Sequence, residues 1–205
     1  AHTIDTARFI TGDEISEVIG STMETVIKER VILESGGGEI SGRGAATSQK
    51  KGASTVDDIV LFVAKMASGA LATFEATRLS TGYKNANRLE IHGENGAIRF
   101  NFERMNELDW YDATLPAELQ GWSTINVTDG NANHPYAASW WPTGHILGYE
   151  HSFINQAADM LTVIGGGEPV VPLADFADAY EIQRVLSAVV ESDKQRSPVP
   201  LDQIQ

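Results

Sequence analysis

Two histidine-bearing segments of this sequence could carry chemistry, and the first lies at its start. His2 and Asp5 are three residues apart, a spacing that puts both side chains on one face of a helix. An imidazole beside a carboxylate suits proton transfer to or from a hydroxyl, because histidine titrates near neutrality. The spacing alone favours a simpler alternative, an exposed pair at a frayed terminus, because short motifs often occur by chance.

The second segment, from His134 to His151, is dense in aromatic rings. Flat apolar rings beside hydrogen-bonding groups are typical of pockets for polyhydroxylated ligands. We therefore predict Trp141, His145 and Tyr149 as substrate contacts, with packing of a long loop onto a sheet as the alternative. The histidine spacing matches no standard zinc pattern, so no metal site is predicted.

Arg78 is a further candidate for substrate binding, because it opens a long polar loop between two predicted strands. Such loops often carry substrate contacts, although an ordinary surface role is the alternative. Asp57 and Asp58 could be taken for a metal pair. Since a hydrophobic strand follows them, we interpret them as acids at the entry of that strand.

The glycine-rich stretches do not predict a nucleotide site. Residues 42–44 carry a Gly-Arg-Gly sequence, but no amphipathic helix follows, as a dinucleotide fingerprint requires. Residues 165–167 follow a predicted helix rather than precede one. No phosphate-binding loop of the Walker type is present either.

Composition excludes several classes of function. The formal net charge of -13 and the lack of a basic cluster argue against binding to nucleic acid or to an anionic membrane. No apolar run is long enough to span a bilayer. The chain has no cysteine, hence no disulfide, and a cytoplasmic location is expected. Its first helix begins without Met or a capping side chain, which suggests a piece of a longer protein.

Hydrophobic periodicity predicts strands first and helices after them, an α+β arrangement. A short helix over 2–11 should end at Gly12, and a flexible loop or irregular strand ends should occupy 34–54. Hairpins, one of them at Asn95-Gly96, indicate an open, mostly antiparallel sheet built from residues 15–130. The predicted strands lie in 15–33 and at 58–66, 70–77, 88–92, 97–102, 108–111 and 124–127. Residues 198–200 should form a short edge strand or an extended tail. Helices over 149–164 and 176–192 should pack on one face of this sheet.

The strand at 59–65 is apolar on both faces. One face carries Ile59, Leu61 and Val63, and the other carries Val60, Phe62 and Ala64. An antiparallel strand with one wet face should alternate with polar residues. Helices can cover one face, and a partner subunit or a second layer of the same chain would cover the other.

Segments spread in order along the chain resemble the C-terminal domain of Gfo/Idh/MocA oxidoreductases. The run around Trp141 and His145 is similar to members acting on sugars or inositols. The resemblance rests on residues 2–13, 56–58, 69–71, 90–93, 96–98, 134–153, 172 and 179–192.

This resemblance implies that residues 1–205 form one substrate-binding and oligomerisation domain. It also implies a hydride-transferring enzyme for a sugar or polyol, a dimer or tetramer formed through the open sheet face, and NAD or NADP held mainly by an absent Rossmann half. His2 matches the family's acid/base histidine and Asp5 a substrate-contacting position, whereas the Asp that orients the histidine would precede residue 1. The isolated chain should be inactive. Alternatives are a stand-alone carbohydrate-binding or oligomerisation module, and a relative that uses transient oxidation for hydrolysis, elimination or isomerisation.

Overall fold

The structure, a computed structural model, describes residues 1–32, 50–130 and 134–204. All strand pairings among these residues are antiparallel, which confirms the predicted α+β class. Most of the predicted loop at 34–54, including the glycines at 42–44, lies outside the described residues. The elements are α1 (His2–Thr11), β1 (Ile15–Glu24), β2 (Glu29–Val31), β3 (Lys51–Ala53), β4 (Ile59–Met66), β5 (Leu71–Thr77), β6 (Arg88–His92), β7 (Gly96–Asn101), β8 (Glu107–Asp112), β9 (Trp122–Asn126), α2 (Ala137–Trp140), α3 (Tyr149–Ile164), α4 (Phe176–Gln195) and β10 (Val199–Pro200).

Helix α1 ends as its sequence predicts. Gly12 takes a left-handed conformation with φ of 63°, and its N–H donates to the carbonyl of Arg8 at 2.9 Å. A residue with a Cβ would be strained at this angle, so glycine terminates the helix with little conformational strain.

Two compact units make up the described chain. The first contains residue 1 with 8–82 and 181–205, and the second contains 2–7 and 83–180. Each unit has its own four-stranded sheet, whereas the sequence predicts one sheet. The polar connection between β5 and β6, with Gly82 at φ of 102°, ends the strand pairing there. That residues 1–205 form one domain remains a prediction.

The sheet of the first unit has the order β10-β1-β4-β5. Phe62 of β4 lies opposite Phe74 of β5, and their rings stack with centroids 4.5 Å apart. The C-terminal part of α4 lies against this sheet, where the Ser21 hydroxyl donates to the Val189 carbonyl at 2.6 Å. The predicted edge strand is confirmed as β10. The core of the unit contains Val18, Phe62, Ala64, Met66, Phe74, Val185, Ala188 and Val189.

Strand β4 buries one of its two apolar faces. Phe62, Ala64 and Met66 are buried, but Leu61 and Val63 on the opposite face are 43% and 38% exposed. The described residues of this unit therefore leave open the sheet face that the sequence expects a partner subunit or a second layer to cover.

The sheet of the second unit is a meander with the order β6-β7-β8-β9. Strands β6 and β7 form the hairpin predicted at Asn95-Gly96. A Cβ at Gly96 would collide with the backbone carbonyl of Tyr111 on β8, so this position needs glycine for close strand packing.

Helix α3 has the predicted bounds and exposes much of its apolar surface. Leu161 and Ile164 are 69% and 78% exposed, while the buried residue of this helix is an acid, Asp159. Among the described residues, no helix is long and apolar enough to cross a membrane.

Candidate functional site

The first turns of α1 place the proposed acid/base residue. Ile4 and Ala7 are buried and fix one side of the helix, whereas His2 is exposed and Asp5 is half-buried. Residues 2–7 group with residues 83–180 in the second unit. His2 and Asp5 thus belong to the same compact unit as Trp141, His145 and Tyr149.

Trp141 and His145 form an exposed stacked pair. Their ring centroids are 5.9 Å apart with an interplanar angle of 22°. The Nδ1 atom of His145 lies 3.1 Å from the carbonyl oxygen of Pro142. Because a carbonyl can only accept, Nδ1 carries the proton, and the Nε2 atom of the neutral ring is an acceptor. His145 can therefore accept a hydrogen bond from a hydroxyl.

Tyr149 begins α3 and is 54% exposed, with its ring edge-on to the rings of Phe102 and Phe153. Arg78 lies in the other unit, where its backbone N–H donates to the carbonyl of Asp58 at 2.9 Å. Five of the six predicted site residues thus belong to the second unit, and Arg78 belongs to the first.

A pocket of about 430 Å³ lies within the second unit, beside the N-terminal half of α3. Trp141, His145 and Tyr149 are outside its lining. The sequence singled out the aromatic segment but did not select the two histidines of that segment that line the pocket. The lining consists of Met105, Thr128, His134, Tyr136, Leu147, Gly148, His151, Ser152, Phe153, Asn155, Gln156, Asp159, Val171, Pro172, Leu173 and Ala174.

Asp159 connects two other segments of the pocket wall to α3 by hydrogen bonds. Its carboxylate accepts hydrogen bonds from the Tyr136 hydroxyl and from the backbone N–H groups of Val170 and Val171. The hydrogen bond from Tyr136 is the largest of the effects that lower the pKa of Asp159. Burial and the same bond raise the pKa of Tyr136 to about 12. The sequence gives no signal for this residue, because Asn155, Gln156 and Thr162, three or four residues away on α3, are also polar.

Tyr136→Phe is expected to destabilise the chain by about 1 to 2 kcal/mol, because it removes one hydrogen bond to a buried carboxylate. Tyr149→Phe is the control, since Tyr149 is an exposed tyrosine of the same unit. Urea titrations followed by circular dichroism measure both free energies of unfolding. Equal stability of the two variants would show that the Tyr136–Asp159 bond contributes nothing to the fold.

Both histidines of the pocket use Nδ1 as an acceptor from the backbone. The Nδ1 atom of His134 accepts from the N–H groups of Tyr136 and Ala137, each at 3.2 Å. The Nδ1 atom of His151 accepts from the N–H of Gly148 at 3.0 Å. Burial lowers the pKa of His134, which favours its neutral form.

The carboxylate of Asp58 has a structural role. Its buried carboxylate accepts from the backbone N–H groups of Val26 and Ile27 and pairs with Arg30. The hydrogen bond from the Ile27 N–H is the largest of the effects that lower the pKa of Asp58. Across residues 1–32, 50–130 and 134–204, no group of three or more His, Cys, Asp or Glu side chains could hold a metal ion.

Comparison with known proteins defines the family of this chain. Residues 1–99 match the family model described as the GFO/IDH/MocA C-terminal domain. The chain belongs to this oxidoreductase family as a C-terminal domain.

Two of the similar proteins are levoglucosan dehydrogenases, and another is an oxidoreductase domain protein. The chain is 36% identical over 204 residues to levoglucosan dehydrogenase of Pseudarthrobacter phenanthrenivorans, covering 99% of this chain and 50% of that protein. It is 44% identical to an oxidoreductase domain protein from Kribbella flavida, with a TM-score of 0.83 and coverage of 98% and 49%. It is 34% identical to a levoglucosan dehydrogenase in complex with NADH and levoglucosan, with a TM-score of 0.79 and coverage of 97% and 48%. The chain thus spans about half the length of these relatives.

Proposed function

We propose that this chain is the substrate-binding and oligomerisation domain of an NAD(P)-dependent dehydrogenase that oxidises a secondary alcohol of a sugar or polyol. The observation that carries the proposal is the grouping of His2 and Asp5 with Trp141, His145 and Tyr149 in one compact unit. The similarity to levoglucosan dehydrogenase over 99% of the chain supports it. We place the enzyme in the cytoplasm.

Each proposed residue has a role that its chemistry allows. His2 accepts the proton of the substrate hydroxyl, and Asp5, on the same helix, accepts a hydrogen bond from a neighbouring hydroxyl. The stacked rings of Trp141 and His145 offer a flat surface with one acceptor, and Tyr149 adds a further ring and hydroxyl. Arg78 stays a proposed substrate contact without geometric support.

No glycine-rich phosphate-binding turn precedes a helix among the described residues. Glycines 165–167 follow a helix, so they do not present N–H groups at a helix N-terminus. The N–H of Gly148, which does precede a helix, already donates to His151. We propose that NAD or NADP, which accepts the hydride when bound, is held mainly by a Rossmann half of the enzyme outside residues 1–205. That half would also cover the exposed apolar side chains of Leu161 and Ile164.

Titration calorimetry of the 205-residue chain with NAD and with NADP is expected to show no micromolar binding, since no phosphate cradle is present among the described residues. The full-length enzyme should bind one of the two cofactors. It should also reduce that cofactor when levoglucosan or another neutral polyol is added. Micromolar dinucleotide binding by the 205-residue chain would contradict this division of labour, and a full-length protein that binds no dinucleotide would favour a stand-alone binding module.

The open face of the first unit is the proposed subunit interface. Leu61, Val63 and Leu71 expose apolar side chains on this sheet, with Lys65, Thr73 and Glu75 between them. A cluster of exposed apolar side chains with polar neighbours is typical of an interaction surface. A second copy related by a twofold axis would cover the face with identical residues, giving a dimer or a tetramer built from dimers.

A further inference from the structure

The pocket beside α3 contains two imidazole rings with fixed tautomers. A backbone N–H can only donate, so the Nδ1 atoms of His134 and His151 that accept such bonds carry no proton of their own. In the neutral rings the proton is therefore on Nε2, and each ring presents an N–H donor. Glu150 lies 3.8 Å from the Nδ1 atom of His151, but its side chain is mostly exposed and does not displace the Gly148 N–H. His145 has the opposite tautomer and is an acceptor.

The other polar groups of this lining leave both donors and acceptors for a ligand. The Oδ1 atom of Asn155 accepts from the Trp140 indole N–H at 2.8 Å, which leaves the amide NH₂ of Asn155 as a donor. The Thr128 hydroxyl donates to Asn106, and the Ser152 hydroxyl donates to the carbonyl of Tyr149. The oxygen atoms of these two hydroxyls therefore remain as acceptors for a ligand. Both oxygens of Asp159 are engaged by Tyr136, Val170 and Val171. An occupant of this pocket must therefore supply both acceptor and donor groups, as hydroxyl groups do.

The charges of the lining residues also limit the chemical class of the ligand. No Lys or Arg is among the lining residues, and the Asp159 carboxylate is negatively charged. An anionic ligand would have to lose its hydration beside a like charge without a cation to compensate. The apolar walls from Leu147, Phe153 and Pro172 suit the carbon faces of a sugar ring, and the volume of about 430 Å³ lies within the range of small-ligand pockets.

We propose that this pocket binds an uncharged polyhydroxylated ligand, with His134 and His151 donating Nε2–H hydrogen bonds to its oxygens. The inference deepens the proposed function, on which it rests. The pocket adjoins the proposed contact Tyr149 through Phe153 of its lining, whose ring lies edge-on to the Tyr149 ring with centroids 4.9 Å apart. The inference adds two residues that determine specificity for neutral over acidic sugars. His134 and His151 are binding residues here, and proton transfer stays with His2.

Asparagine and glutamine substitutions separate the two nitrogen atoms of each ring. His134→Asn and His151→Asn keep an acceptor near the position of Nδ1, so the backbone N–H groups stay bonded and the fold is preserved, but they remove the Nε2 donor. His134→Gln and His151→Gln place an amide N–H near the position of Nε2 instead. In the full-length enzyme each Asn variant should raise KM for the neutral substrate about tenfold, the size of one neutral hydrogen bond, with kcat within about twofold of wild type. The Gln variants should recover part of that loss. Unchanged KM in both Asn variants would overturn the proposal.

Nitrogen-15 spectra of the 205-residue chain test the pocket without cofactor or turnover. The imidazole resonances should show protonated Nε2 in His134 and His151 and protonated Nδ1 in His145. Levoglucosan, D-glucose and myo-inositol are the neutral probes, and D-gluconate and D-glucuronate are the acidic ones. We expect at least one neutral probe to shift the Nε2 resonances of His134 and His151, and the acids to leave them unchanged. Protonated Nδ1 in both rings, no response to any probe, or an equal response to the acids would refute the pocket assignment. If the full-length enzyme oxidises no polyol while a neutral probe shifts these resonances, the proposed function fails and the binding pocket stands.

Discussion

His2→Ala is expected to lower kcat of the full-length enzyme by at least about 100-fold, because a positioned acid/base group typically contributes about 10² to 10⁴ in rate. Oxidation of a secondary alcohol requires loss of the hydroxyl proton, and an imidazole is suited to accept it near neutral pH. His2 is exposed at the start of α1, so the substitution should leave the free energy of unfolding nearly unchanged. Steady-state kinetics and dinucleotide titration give the two decisive values: a large loss of kcat and an unchanged cofactor Kd.

Thr6→Ala is the matched control on the same helix. The Thr6 hydroxyl donates to the carbonyl of His2 at 2.8 Å, so this variant alters local helix bonding without removing the imidazole. It should retain nearly full kcat. Asp5→Ala should act mainly on substrate KM, since a hydrogen bond to a spectator hydroxyl is made in the ground state as well as in the transition state. Near-normal turnover of His2→Ala across the pH range would remove His2 from the mechanism.

Phe62→Ala is expected to lower the free energy of unfolding by about 3 to 5 kcal/mol, the usual cost of emptying a buried aromatic site. Phe62 is 6% exposed and stacks on Phe74 across β4 and β5. Its neighbour Leu61, on the opposite face of the same strand, is 43% exposed. Leu61→Ala should therefore change monomer stability by less than about 1 kcal/mol. Denaturant unfolding of the two variants compares the two faces of one strand directly.

Leu61→Glu tests the open face as a subunit interface. A carboxylate there should weaken the association of two copies, because each would be buried beside the other copy's apolar surface without a partner charge. Sedimentation should then show monomers where the wild-type chain forms dimers or tetramers. If the wild-type chain sediments as a monomer at high concentration, or if Leu61→Glu still assembles, the interface lies elsewhere.

The sequence by itself determined the local structure. Helix bounds at 2–11 and 149–164, strand β6 and the Asn95-Gly96 hairpin agree with the structure because hydrophobic period and turn conformation depend on residues close together in the chain. The strand at 59–65 shows where this reasoning stops. Its apolar residues alternate on both faces, so only packing against α4 decides that Phe62 is buried and Leu61 is not.

The pocket was decided by tertiary structure alone. Tyr136 and Asp159 are 23 residues apart and meet only because α3 packs beside the segment that precedes it. The Nδ1 atoms of His134 and His151 accept from backbone N–H groups only two or three residues away, so local turns set these tautomers. Tertiary structure decides that both rings line one pocket. It also places Arg78 in a different unit from His2. Residue type shows that an imidazole can donate or accept, but the choice between the two is made by the groups that the fold places around it.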